Sequence, residues 1–395
     1  MPRILLCHQP IDGGVGRHVE DLTIGLLERD YEVVLCGPSI PQGLADDSAT
    51  HMRLDLHRAV TIRSDLAAVA RFSGIVHDLR PDIVHAHSSK AGAVARLARF
   101  SHPRIPVVYT PHGYAFAGHF SRPAERLAYR GVERTLAPLA SRTVCVCEAE
   151  ARLARSIGPS RRVRVVHNGI EPAQDGPVEE RIASLSRLGP VIGALTLLRP
   201  GKGLETLIDA FPRVLARHPT AQLAIVGDGP DLQELRAQTQ LRGVADAVHF
   251  LGSSTEPQAA LRGLDVFVHP SWSEAFPYVI LEAMSLGRAI VASDVGGIRE
   301  AVVDGASGRL VPPRDEAALA EALIAMLSDP VRRTQMGAIA LSRVGEHFTR
   351  TTMIDRLIDV YDELMPTSLG PYAAGPESGV PSSSSSQAMT RHPTR

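Results

Sequence analysis

Lysine is almost missing from this 395-residue sequence: two lysines, Lys90 and Lys202, stand against 40 arginines. Cysteine is scarce at four, tryptophan occurs once, and aromatic residues make up 4%. Cys145 and Cys147 alternate along an apolar strand pattern, which suits small core residues better than a disulfide or zinc framework. No apolar run approaches the roughly 18 residues of a membrane-crossing helix; the longest, 191–198, contains Gly193 and Thr196. The opening Met1-Pro-Arg-Ile-Leu-Leu-Cys-His8 has too short an apolar stretch for a secretory signal, so a cytoplasmic location is expected. A net charge of −1 argues against a nucleic-acid binder. The balance is uneven, with 22 Lys+Arg against 17 Asp+Glu through residue 172 and 18 against 25 over 173–365. A mildly basic first half suits an anionic lipid or phosphate partner.

What is present is a repeated strand-and-helix alternation, long enough for two domains. Short Val/Ile/Leu runs at 3–8, 32–37, 82–87, 107–112, 143–148 and 163–168 are each followed by a helical pattern, as in buried parallel strands with crossover helices. The scheme recurs at 191–198, 222–227, 248–252, 266–270, 289–293 and 309–312. The expected fold is α/β, two Rossmann-like doubly wound domains facing across a cleft. The first spans 1–172, a hinge spans 173–187, and the second spans 188–348. An amphipathic closing helix within 349–365 is expected to pack back on the first domain. The Ser- and Pro-rich tail 366–395 is expected to be disordered.

Ligands of such sheets bind beyond the carboxyl ends of the strands. After the first strand comes Asp12-Gly-Gly-Val-Gly16, expected to precede a helix starting near Arg17 and to offer backbone amides to a phosphate. After the 266–270 strand comes Ser271-Trp-Ser-Glu274-Ala-Phe-Pro-Tyr-Val-Ile-Leu-Glu282. Pro277 is expected at the first helical position, leaving the amides of Tyr278 and Val279 for an anion. Glu274 before the helix and Glu282 within it can bracket one polyol ligand through charge-assisted hydrogen bonds to its hydroxyls. The rarity of lysine makes Lys202 look selected for a compact charge beside a diphosphate. Lys90 reads equally well as a solvated helix-start residue. His85 and His87 alternate on a strand with no Cys or acidic third ligand nearby, and Asp46-Asp47 lacks Asp-x-Asp spacing, so no metal site and no cofactor are expected.

The Glu-x7-Glu spacing from Glu274 to Glu282 resembles the signature of retaining glycosyltransferases of family 4, which have the GT-B fold. Further blocks agree: His85-Ala-His-Ser-Ser-Lys-Ala-Gly92, Thr110-Pro-His-Gly-Tyr114, His167-Asn-Gly-Ile170, Leu198-Arg-Pro-Gly-Lys-Gly-Leu-Glu-Thr-Leu207, Ile225-Val-Gly-Asp-Gly-Pro230 and Ser293-Asp-Val-Gly-Gly-Ile-Arg-Glu300. The resemblance implies a nucleoside-diphosphate sugar as donor, with Glu282 on the ribose and Glu274 on the donor sugar. It places Gly13 and Gly14 at the diphosphate, Arg199 and Lys202 as its counter-charges, and His112 near the reacting carbon. Gly227, Asp228, Phe276, Tyr278 and Val279 would complete the donor site. The sequence departs from the common pattern with Ala275 for Gly, Tyr278 for Asn and Leu197 for Arg. The first-half blocks particularly resemble exopolysaccharide and capsule enzymes, which implies a sugar or lipid-linked acceptor.

Arg122, Arg126, Arg130 and Arg134 recur every four residues in 120–136. They form either a solvated helix face or a peripheral contact with anionic lipid. Two rival functions remain: a non-catalytic nucleotide- or glycan-binding module, and an NAD(P)-dependent oxidoreductase, disfavoured by the incomplete Gly-x-Gly-x-x-Gly.

Overall fold

The computed structural model describes residues 1–45, 48–57, 61–118 and 123–365. Asp46, Asp47, residues 120–122 of the arginine-rich segment and the tail 366–395 lie outside the described residues.

Buried apolar segments assemble into two all-parallel sheets. The first orders its strands β3-β2-β1-β4-β5-β6-β7, with β1 Arg3–His8, β2 Glu32–Gly37, β3 Thr50–Arg53, β4 Ile83–His87, β5 Val107–Thr110, β6 Arg142–Cys145 and β7 Val163–Val165. The second runs β10-β9-β8-β11-β12-β13, with β8 Val191–Leu195, β9 Gln222–Val226, β10 Val248–Gly252, β11 Val266–His269, β12 Ala289–Ser293 and β13 Arg309–Val311. Both are Rossmann-like, and strand order reverses direction at β1/β4 and at β8/β11, where crevices for ligands open. β3 escapes sequence reading because Thr50-His-Met-Arg53 is a partly exposed edge strand with no apolar run. The strands also stop two or three residues before several expected ends, which releases residues such as His112 and Thr196 into the loops.

Between the sheets, residues 171–179 are irregular, whereas the Glu180–Ser186 helix within the expected hinge buries Ile182 and Leu185 in the second domain's core. The Arg350–Asp362 helix returns to the first domain, packing Met353, Ile354, Leu357, Val360 and Tyr361 among Ile4, Leu22 and Leu26. Gly25 permits this approach, since a Cβ there would stand 2.5 Å from Ile354 Cγ1. The chain's two crossings between domains meet side by side. Ile170 N donates to Phe348 O and Arg350 N donates to Ile170 O, both at 2.9 Å.

Candidate active site

A cavity of about 240 Å³ lies between the domains, with Gly14, Val15, His112 and Asn168 on one side and Arg199, Glu274, Phe276 and Tyr278 on the other. It shares His112, Arg199, Glu274 and Ala275 with a second cavity of about 500 Å³ that extends along Tyr114, Glu150 and Trp272. A third, about 260 Å³, is lined by Leu197, Gly227, Asp228, Val279 and Glu282.

The helix carrying Glu282 spans Tyr278–Ser285, and Pro277 is its N-cap in extended conformation. Proline therefore precedes the helix rather than opening it, and Tyr278 and Val279 become the first two helical residues, whose amides lack intrahelical acceptors by position. Glu282, one turn in, faces the third cavity, so the two glutamates serve neighbouring chambers. Burial raises the Glu282 carboxyl against the pull of Arg17 across the cleft.

Glu274 is gripped from two sides: Lys202 Nζ is 2.7 Å and His269 Nε2 3.1 Å from its Oε1. Burial would raise this carboxyl, but the His269 hydrogen bond and the Lys202 charge outweigh it and hold Glu274 well below the usual carboxylate range. Gly203, at φ +72°, makes the grip possible: a Cβ would lie 2.0 Å from Pro270 O, so only glycine lets the Lys202 loop press against the loop that presents Glu274. Arg199 is exposed and lines both cavities next to Glu274, ready for an incoming anion. Leu197 lies instead in the chamber of Glu282 and does not share the Arg199 position.

The opposite wall is made of imidazoles. His112 takes a left-handed backbone, φ +56°, with Gly113 at +97° behind it. Buried Glu150 holds this turn by accepting from Gly113 N at 2.5 Å and Val146 N at 2.8 Å. Burial lifts Glu150 to about 7 despite those bonds. His87 Nδ1 is 3.1 Å from His112 Nε2, and the His18 ring lies edge-on to His112 at 4.6 Å. Burial pulls His18 down to about 4, opposed by its hydrogen bond with Asn168. Burial, then neighbouring imidazoles, also lowers His87 and His112 well below the ordinary value, so this wall is neutral.

The helix after β1 is Gly13–Leu27 and begins four residues earlier than expected, so Gly13 and Gly14 are its first turn. A Cβ at Gly14 would stand 3.7 Å from the Tyr278 ring across the cleft, while one at Gly13 would meet nothing within 4 Å among the described residues. His112, Arg199, Glu274, Gly14, Phe276 and Tyr278 thus share one cavity, and Gly227, Asp228, Val279 and Glu282 share the next. Lys90 is not a solvated residue, since its Nζ lies 2.7 Å from Asp65 Oδ1 with the side chain 12% exposed. His18, His87, Asn168, His269 and Glu150 were not singled out by sequence for this site. His87 and Asn168 lay inside motif blocks, but nothing local to His18 or Glu150 marks them. No Cys or acidic ligand was expected beside His85 and His87; the fold instead brings two further histidines, His18 and His112, beside His87.

Two facing Rossmann-like domains, with two glutamates, Arg199 and the Lys202–Glu274 ion pair at the cleft, have the architecture of a glycosyltransferase of the GT-B class. Residues 12–174 match the family described as Glycosyltransferase Family 4, and 189–329 match Glycosyl transferases group 1. The chain belongs to glycosyltransferase family 4 and is a transferase acting on nucleotide sugars. It is 28% identical over 386 residues to a glycogen synthase of Mycobacterium tuberculosis, covering 88% of this chain and 91% of that one. It is 28% identical over 375 residues to a phosphatidyl-myo-inositol mannosyltransferase of Mycobacterium leprae, covering 91% and 96%. The fold matches that of Anabaena HepE solved with UDP-glucose at a TM-score of 0.79 and 23% identity, covering 92% of this chain and 100% of that one. A dehydrogenase assignment is thereby set aside. Among the described residues no helix is long and apolar enough to cross a membrane.

Proposed function

We propose that the chain transfers a hexose from a nucleoside-diphosphate sugar to an acceptor hydroxyl with retention of anomeric configuration. The observation that carries this reading is the shared cavity of Arg199, Glu274 and His112, with Lys202 bonded to Glu274 behind it. The donor's C1–oxygen bond breaks as the acceptor oxygen bonds C1 from the same face, and the acceptor proton passes to the departing phosphate oxygen. Negative charge grows on that diphosphate, and Arg199, Lys202 and the amides of Tyr278 and Val279 stabilise it. Glu274 accepts from donor-sugar hydroxyls, Glu282 from ribose, and His112 touches the sugar near C1. The protein's work is positioning and charge stabilisation.

Proton NMR of the product made with UDP-, GDP- and ADP-sugars tests the reading. The expected product keeps the donor's anomeric configuration, forms with one base preferred, and persists in EDTA. An inverted product, or turnover abolished by EDTA and restored by Mg²⁺, overturns it.

A lipid-linked acceptor at an anionic membrane fits the Pro123–Leu136 helix. Of its residues only Glu133 and Leu136 are buried, while Leu127 and Val132 are 68% and 53% exposed beside Arg126, Arg130 and Arg134. Leu127 shares one exposed side of the helix with the three arginines, and a basic face carrying an exposed leucine is what contact with an anionic bilayer would require. The M. leprae relative is likewise named for a phosphatidyl lipid. Changing the three arginines to Gln is expected to reduce sedimentation with phosphatidylglycerol vesicles, most clearly at low salt. Equal sedimentation refutes the membrane contact.

A further inference from the structure

The three imidazoles of the neutral wall do more than line the cleft. One nitrogen from each of His18, His87 and His112 lies within 4.8 Å of one from each of the others. The orientation of His18 is fixed through two steps. Asn168 Nδ2 donates to Phe276 O at 2.8 Å, which turns Asn168 Oδ1 toward His18 Nδ1 at 3.0 Å. Nδ1 therefore carries the proton, and Nε2 keeps its lone pair. That Nε2 is buried and, like His87 Nε2, has no partner among the described residues. Tyr278 Oη stands on the Nδ1 side, at 3.4 Å. The adjacent His85 is different, because Tyr361 Oη and Thr110 Oγ1 occupy both its nitrogens at 2.7 and 2.8 Å.

An imidazole whose outer N–H is held by a carbonyl oxygen and whose other nitrogen is open is how metal-ligating histidines are prepared. Metal–nitrogen bonds of about 2.1 Å place tetrahedral ligand nitrogens roughly 3.4 Å apart. His87 Nδ1 and His112 Nε2, now joined by a hydrogen bond, are already at 3.1 Å, so an ion would replace the proton between them, and the third ring needs to close by at most about 1.5 Å. Three imidazoles without a carboxylate select zinc, copper or nickel over magnesium or manganese. His112 borders the cavities of about 240 and 500 Å³, so a fourth ligand such as water could reach an ion from the cleft.

We propose that His18, His87 and His112 bind one zinc-like divalent ion in the cleft, and that this ion switches transfer off by taking His112 away from the donor. The inhibitory half rests on the proposed role of His112; the binding half does not.

Metal-free full-length protein is titrated calorimetrically with ZnCl₂, and separately with CoCl₂ while following the visible d–d bands of tetrahedral cobalt. One ion per chain is expected in the micromolar range or tighter, weakened at least about tenfold in His18→Gln and His87→Gln and, through the outer partner, in Asn168→Ala. Unfolding temperature checks that each variant is folded. Zinc is expected to inhibit donor turnover at the concentration where it binds, with EDTA restoring it and Mg²⁺ having no such effect. Absence of binding, or equal binding by wild type and all folded variants, overturns the site. Binding without inhibition of an active enzyme overturns the switch. A chain that binds zinc through these histidines but turns over no sugar donor refutes the proposed transfer and leaves the site standing.

Discussion

On the C-terminal side of the cleft, charges hold one another: Lys202 and His269 grip Glu274, and the nearby amides begin a helix. On the N-terminal side the reactive groups are uncharged rings, several with nitrogens that find no partner among the described residues. Under the proposed function, one wall would meet the donor's anion and the other would avoid competing with it. In the proposed transfer, a cation on the imidazole wall would compete for the diphosphate, and rings kept neutral by burial would leave the donor to the opposite wall. The price is lability to acid, which the paired wall does not share.

The largest expected effect concerns a buried charge on the N-terminal side, away from the cleft. Arg96, 1% exposed, donates to Glu133 at 2.9 Å and lies over the Tyr109 ring at 3.9 Å. Arg96→Leu leaves Glu133 buried and uncompensated and is expected to cost about 3–5 kcal/mol in urea unfolding. A loss below about 1 kcal/mol would mean that this half does not rely on its pair.

Next come the cations of the paired wall. Arg199→Ala and Lys202→Ala are each expected to lower kcat about a hundredfold, roughly 3 kcal/mol, with a smaller change in donor binding. The double variant should be little worse than either, since both act on one leaving group. Leu197→Arg should not rescue Arg199→Ala, because position 197 opens into the Glu282 chamber. Near-normal turnover of Arg199→Ala would remove it from the machinery.

The acid lability can be read through His8, which is buried, has no hydrogen-bond partner for either ring nitrogen among the described residues, and is pulled down to about 4 by burial and then by His51. An unfolded histidine titrates near 6.5, so below that pH the unfolded chain binds a proton that the folded chain refuses. Stability is therefore full above about 6.5 and falls as pH drops toward 4, by about 2 kcal/mol at pH 5 for this residue. Melting temperatures of wild type and His8→Leu should diverge between pH 7 and 5, with the variant flatter. Parallel curves would assign the acid loss elsewhere.

The smallest effect probes the gap between the walls. At Gly14 a Cβ would sit at ordinary contact distance, 3.7 Å, from the Tyr278 ring. Gly14→Ala should leave the melting temperature nearly unchanged yet raise KM for the donor several-fold, by occupying space meant for the diphosphate. An unchanged KM would move the diphosphate away from this turn.

These contrasts also explain what could be read from sequence. The paired wall was legible because 266–287 carries a strand, Glu274, the helix start and Glu282 in one contiguous stretch, with Lys202 conspicuous by its rarity. The neutral wall was only half legible. His112 emerged through its motif, whereas His18, His87 and Asn168 are 69, 25 and 150 residues from their contacts, and only strand order unites them. The start of the Gly13–Leu27 helix was misjudged because its glycines read as a loop, and β3 because an exposed edge needs no apolar pattern.

The paired crossings at Ile170 and Phe348–Arg350 carry a mechanical consequence. Two straps joined by backbone hydrogen bonds bend together like adjoining leaves of a door hinge, and sliding one domain past the other would tear those bonds. Gly169 tightens the joint, as a Cβ there would lie 2.1 Å from Thr349 O. Relative motion is thus channelled into a swing about a single line. Such a swing would widen and narrow the gap between Gly14 and Tyr278 along one coordinate, so that the neighbouring cavities of Glu274 and Glu282 would open and shut in step.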